Sequence, residues 1–261
     1  CGVPGKGDAL KFVILTNQNI FDMKNDKIYA KLTVTQGTAD FFNGKDDFNE
    51  NLDLLKGKIR EWLNLKNVHF LLGSGASSGA IPTMSSLYES LSFEEDEKVF
   101  NDDAQKEIDA NIQLYKRLID KVERHIFDSI NIDFGSLNEE QKKVVEYYKT
   151  FYQKLALRNK DNARIRVFTT NNDLFSETVL DALNIHYING FGGGLHRFFN
   201  PALFNYTMSK RMDTSIDKYE PVENMVYLYK IHGSVNWREA KNKTNTYFEI
   251  EEVMPSEARH E

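Results

Sequence analysis

Three apolar runs, far apart in the chain, each stop at a cluster of glycine or small polar residues. Val68 to Leu72 runs into Gly73-Ser74-Gly75-Ala76-Ser77. Ile165 to Thr169 runs into Thr170-Asn171-Asn172-Asp173. Met225 to Ile231 runs into His232-Gly233-Ser234. Short apolar runs bounded by turn residues read as buried strands. Helical periodicity between them calls for parallel pairing, so the expected fold class is α/β, a Rossmann-like parallel sheet. Each polar cluster then falls where a strand ends, the edge at which open α/β sheets bind ligands.

Composition narrows what such a sheet serves. The chain has 261 residues, 41% of them apolar, enough for one or two domains with a real core. Its formal charge of −6 and pI near 5.6 lack the basic footprint of a nucleic-acid binder. No run of about 18 apolar residues suggests a membrane span. Cys1 is the only cysteine, which leaves no disulfide and no cysteine-based zinc site, so no metal is expected. A reducing, cytoplasmic setting fits. The start at Cys1 and the polar stretch from Pro255 to Glu261 read as the ends of a piece of a longer protein.

Residues 1–46 read as an N-terminal β-rich extension, with strands at 11–15 and 28–34. Residues 47–261 read as the main α/β domain, entered by a helix with Phe48, Leu52, Leu55, Ile59 and Trp62 on one face behind Asp46-Asp47. An acidic loop, 91–98, precedes a helical insertion at 99–160. There Ile108, Ile112, Tyr115, Ile119, Val122 and Ile126 form one stripe, and Val144, Tyr148, Phe151 and Leu155 another. Ser136 with Glu139 reads as a capping box. The short connector from Asn131 to Gly135 predicts an antiparallel helical hairpin, either simple packing or a lid or oligomer contact. His69 reads as core. Residues 189–221 read as a glycine-rich, flexible loop.

The first cluster has the features of a phosphate cradle: glycines that admit close approach and backbone amides at a strand end, with a helix N-terminus to add positive charge. The strict dinucleotide fingerprint fails, because its third glycine, Gly79, comes one residue late. Asn171 offers both a donor and an acceptor, and the His232 imidazole could take a proton from a hydroxyl or from water. Each also has an ordinary structural explanation. Asp173 precedes Leu174 and could cap the next helix, and His232 could be a strand-end histidine satisfied by backbone.

The ordered triple of a glycine-x-glycine-x-serine loop, a threonine-x-asparagine-x-aspartate turn and a histidine-glycine-serine turn resembles the sirtuin superfamily. From Ala80 to Ser85, only Ile81 and Pro82 match that family's next segment. The four-cysteine zinc module that follows the histidine in its deacylases is missing. Ile188-Asn189-Gly190-Phe191, Phe199-Asn200-Pro201 and Lys230-Ile231-His232-Gly233-Ser234-Val235-Asn236-Trp237 look like the bacterial sirtuin-like domains of anti-phage defence proteins.

The resemblance implies NAD as the substrate, cleaved to nicotinamide and ADP-ribose, with Gly73, Ser74, Gly75, Ala76, Ser77, Thr170, Gly233 and Ser234 holding it. It implies that Asn171 meets a ribose hydroxyl or water, that Asp173 accepts from the nicotinamide carboxamide, and that His232 takes a proton. It also implies a homo-oligomer or a larger defence assembly with another protein or domain, without membrane or direct nucleic-acid contact. Two alternatives stay open: an NAD-dependent protein deacylase or ADP-ribosyltransferase, and a non-catalytic nucleotide-sensing or assembly domain. The family's adenine-side glycine-x-serine turn has no counterpart after Trp237.

Overall fold

The most apolar run builds the middle of the main sheet. Strand β10, Met225–Lys230, is buried at every position except Tyr229, which is half-buried. A strand buried on both faces has this near-continuous apolar character. The computed structural model describes residues 35–36, 39–40, 48–65, 68–91, 106–158, 164–212, 218–222, 224–240 and 249–254. The strands expected at 11–15 and 28–34, the Asp46-Asp47 cap and the acidic loop beyond residue 91 lie outside these.

The chain divides into two compact units, residues 1–65 and 66–261. In the first, β1 (Thr35–Gln36) pairs antiparallel with β2 (Ala39–Asp40), and helix α1 spans Phe48–Leu63. The division falls after Leu65, so this helix groups with the N-terminal unit.

The second unit is mixed α/β. Strands β3 (His69–Leu72), β4 (Arg164–Thr169), β10 and β5 (Tyr187–Ile188) lie in the order β3-β4-β10-β5, all parallel. A parallel sheet backed by helices is compatible with a Rossmann-like fold. Parallel neighbours need crossover connections. The first carries helices α2 (Met84–Glu89), α3 (Lys106–Ile130) and α4 (Glu139–Ala156); the second carries α5 (Phe175–Ala182).

Helix α4 packs on α5. Tyr148 stacks on Phe175 at 5.5 Å, and Phe151 meets Phe70 of β3 edge-on at 5.3 Å. The start of α4 differs from expectation: its capping box is Asn138 with Gln141, whose side chains each accept from the other's backbone N–H. Two boxes overlapped in sequence, and the one whose first residue stands directly before Glu139 formed. The α3 stripe is only partly covered: Val122 and Ile126 are half-buried, while Tyr115 and Ile119 are more than half exposed.

The opposite face of the sheet is thinner. Phe168 stacks on Tyr229 at 4.6 Å, and Tyr229 on Phe204 at 4.1 Å. Toward β3 the cover ends: Leu71 is 70% exposed, and His69 is exposed with its ring edge-on to Phe168, not in the core.

Among the described residues of 189–221, expected to be a loop, several short elements form. Strands β6 (Phe191–Gly192) and β7 (Arg197–Phe199) join β11 (Trp237–Glu239) and β12 (Ile250–Glu252) in an antiparallel sheet of order β11-β12-β7-β6. Strands β8 (Ser209–Arg211) and β9 (Tyr219–Pro221) form a separate pair. Strands of two or three residues are too short to show a period-2 pattern, so composition alone suggested flexibility. Gly190 is buried, and a Cβ there would lie 2.5 Å from the Phe199 ring. Close packing, not mobility, requires that glycine. Among the described residues, no helix is long and apolar enough to cross a membrane.

Candidate functional site

Leu72, Thr169 and Lys230 lie in one row across β3, β4 and β10. The three strands therefore end level, and the three polar clusters leave the sheet side by side. Backbone bonds tie their first residues together. Thr170 N donates to Leu72 O at 3.1 Å, and Ile231 N donates to Thr169 O at 2.8 Å. Farther out, Val235 N donates to Asn172 O at 2.9 Å. The parallel register thus converts a sequence order into one continuous edge.

The glycine loop starts at Gly73, in extended conformation, and enters a 3-10 helix at Ser74–Ser77. The expected α-helix is absent here; α2 begins only at Met84. A four-residue helix carries little macrodipole, so positive character at this loop rests on backbone N–H groups, the first of which have no intrahelical acceptor. No described residue lies within 4 Å of a Cβ placed on Gly73 or Gly75, so among the described residues the space over the loop is open. Ser74 is exposed, Ala76 is half-buried, and the Ser77 side chain points inward at 2% exposure.

Asn171 and Asp173 follow the inward alternation of β4 and are also buried, at 8% and 5% exposure. Ser77 Oγ donates to Asp173 Oδ2 at 2.6 Å, and Phe175 N donates to Asp173 Oδ1 at 3.1 Å. Asn171 Nδ2 donates to Ser77 Oγ at 3.1 Å and to the Tyr148 hydroxyl at 3.4 Å. Asn171 N in turn donates to Thr169 Oγ1 at 3.0 Å. Both carboxylate oxygens of Asp173 thus hold the protein together, one fixing the entry to α5 and the other the glycine loop.

His232 is placed differently. Its side chain is exposed, and its imidazole has no hydrogen-bond partner among the described residues. Only its carbonyl is held, accepting from Asn172 Nδ2 at 2.9 Å. Gly233 then turns the chain with φ +86°, a left-handed conformation that favours glycine.

The chain matches no protein-family model and no curated protein.

Two further residues belong to this site and carried no role in the sequence reading. Lys230, with a side chain only 1% exposed, donates to the Asp173 carbonyl and to Ser234 Oγ at 2.7 Å, and pairs with Glu177 at 3.0 Å. It brackets the asparagine and histidine turns. A signal existed: on β10 it shares the face of Val226 and Leu228, where an unpartnered lysine would not be stable. Burial pushes the Glu177 carboxyl above the ordinary glutamate range, against the opposing pull of Lys230.

Tyr148 sits on the buried stripe of α4, where the spacing reads as plain core. Its phenol is pushed well above its usual value, chiefly by burial and further by the Asp173 charge. It therefore keeps its proton at any working pH. Helix α4, expected to belong to an insertion, thus delivers a hydroxyl to the site. Ser234 is half-buried and occupied internally, its hydroxyl also reaching Asn172 O at 3.4 Å.

Proposed function

We propose that this protein binds NAD across the level strand ends and cleaves its nicotinamide–ribose bond by hydrolysis. The observation that carries the reading is the side-by-side exit of the three clusters from adjacent parallel strands, with Asn171 held at their centre. Open backbone at Gly73–Gly75 suits a pyrophosphate, through amides that a side chain would obstruct. Asn171 presents a carboxamide oxygen to a ribose hydroxyl or to water. In the reaction, water attacks the anomeric carbon as the bond to the nicotinamide nitrogen breaks, and nicotinamide leaves neutral. The water proton passes to His232 and then to solvent. An exposed imidazole suits this exchange, because it reaches bulk water. Asp173, with both oxygens engaged, shapes the loop in this reading.

The sirtuin-like resemblance adds the setting: bacterial anti-phage defence through NAD depletion, in the cytoplasm, in an oligomer or larger assembly. The hairpin insertion at 99–160 belongs to this reading as well. A non-catalytic nucleotide-sensing domain is the second reading, favoured by the His232 imidazole, which among the described residues has no partner to set its tautomer.

The test follows nicotinamide and ADP-ribose over time for wild type, Asn171→Ala and His232→Ala, with circular dichroism as the folding control. Removing a general base lowers rate about a hundredfold or more, so the His232 variant is expected to lose nearly all turnover while staying folded. Near-wild-type turnover in that variant, or product only when an acylated peptide is supplied, overturns the hydrolase reading. Binding of NAD without any cleavage by wild type favours the sensor.

A further inference from the structure

We propose that Tyr148 is a positioning residue for Asn171, locking its carboxamide with Nδ2 turned inward and Oδ1 left as the outward acceptor. The inference deepens the NAD reading, since it assigns what the site asks of its ligand: a hydrogen-bond donor at Asn171.

Counting protons carries it. Ser77 has one hydroxyl proton, and it goes to Asp173 Oδ2 at 2.6 Å. The oxygen of Ser77 is then only an acceptor, so at its 3.0 Å contact with Tyr148 the phenol must donate. Tyr148 has spent its proton there, and its oxygen also only accepts. Asn171 lies 3.1 Å from the first oxygen and 3.4 Å from the second. A carboxamide oxygen in that place would face two oxygens with no proton between them. Only Nδ2 satisfies both contacts.

The planar amide then directs Oδ1 the other way, where it has no hydrogen-bond partner among the described residues. Asp173 thus sets the sense of the whole chain of bonds from below, and Tyr148 closes it from α4. Such a site favours a hydroxyl or water over a carbonyl or phosphate oxygen at that point.

Tyr148→Phe removes only the hydroxyl and keeps the stack on Phe175. Tyr152→Phe is the control: one turn along α4, its hydroxyl donates to Ser176 Oγ at 2.8 Å and touches no member of the network. Two readouts are taken on the intact protein. The first is the NMR signal of the Asn171 side-chain amide, assigned by its loss in Asn171→Ala. It is expected to move in Tyr148→Phe and to stay in place in Tyr152→Phe.

The second readout is steady-state NAD cleavage. Tyr148→Phe is expected to lower kcat about fivefold to tenfold, the loss of one hydrogen bond, with KM nearly unchanged. In an Asn171→Ala background it is expected to add nothing. An unmoved amide signal, or losses that multiply in the double variant, overturns the proposal. If wild type cleaves no NAD, the hydrolase reading fails by itself, and the amide signal still decides whether Tyr148 orients Asn171.

Discussion

Asn171 and His232 leave adjacent strands at the same level, yet the protein treats them in opposite ways. Asn171 is buried and bonded through its side chain to two elements distant in sequence. His232 is exposed, and among the described residues only its backbone carbonyl is held. Strand-end topology alone therefore does not make a site. On β4 the inward alternation continues past Thr169 and carries Asn171 and Asp173 into the protein. On β10 it breaks after Lys230, the last inward side chain, and Gly233 turns the chain away. One half of the edge is bonded internally, and the other is open to solvent.

Lys230 tests this division most severely, because it joins the two halves. Replacing one partner of a buried ion pair leaves the other charge uncompensated, typically a loss of about 3–5 kcal/mol. Lys230→Met is expected to lose that much in urea denaturation, while Lys230→Met combined with Glu177→Leu regains much of it. A single variant as stable as wild type would mean that the halves are not joined through this cation.

Asp173→Ala comes next. It leaves the Ser77 hydroxyl and the Phe175 N–H without their acceptor, and about 1–3 kcal/mol is the expected loss. A smaller loss than that of a surface residue would show the buried half to be less tightly tied than its distances indicate.

A change in pH response, smaller than either loss, is expected at Glu177. Burial raises this carboxyl above its unfolded value of about 4.5. A carboxyl raised on folding contributes stability while protonated, below the unfolded value, and loses the contribution as pH rises through the folded value. Glu177→Gln abolishes that titration. Wild-type stability relative to the variant is therefore expected to fall as pH rises from about 4.5, read from denaturation midpoints. A difference that is flat with pH would contradict it.

The smallest effect belongs to the open half. His232→Ala removes an exposed ring with no partner among the described residues, so stability is expected to stay within about 0.5 kcal/mol of wild type. A larger change in the melting profile would place His232 in the buried half after all.

Much of the sheet was legible beforehand. The apolar runs at 68–72, 165–169 and 225–231 became three adjacent strands within a residue or two at each end, because runs of that kind leave few alternatives once helices separate them. The two antiparallel strands after the His232 turn were not legible, nor were β6 to β9, since two or three residues carry no readable period. The Ser136 box lost to Asn138, a choice between neighbours that only the position of the helix axis makes.

The sequence by itself determined that three polar clusters end three strands and which residue types each cluster offers. Tertiary structure alone decided that Tyr148 reaches Ser77 and Asn171, that Lys230 pairs with Glu177, and that Asn171 is buried while His232 is not. The physical reason is range. Strand and turn signals act over a few residues of chain, whereas the Ser77–Asp173 and Tyr148–Ser77 bonds join groups 96 and 71 residues apart. Such contacts exist only after the parallel register has brought their strands level.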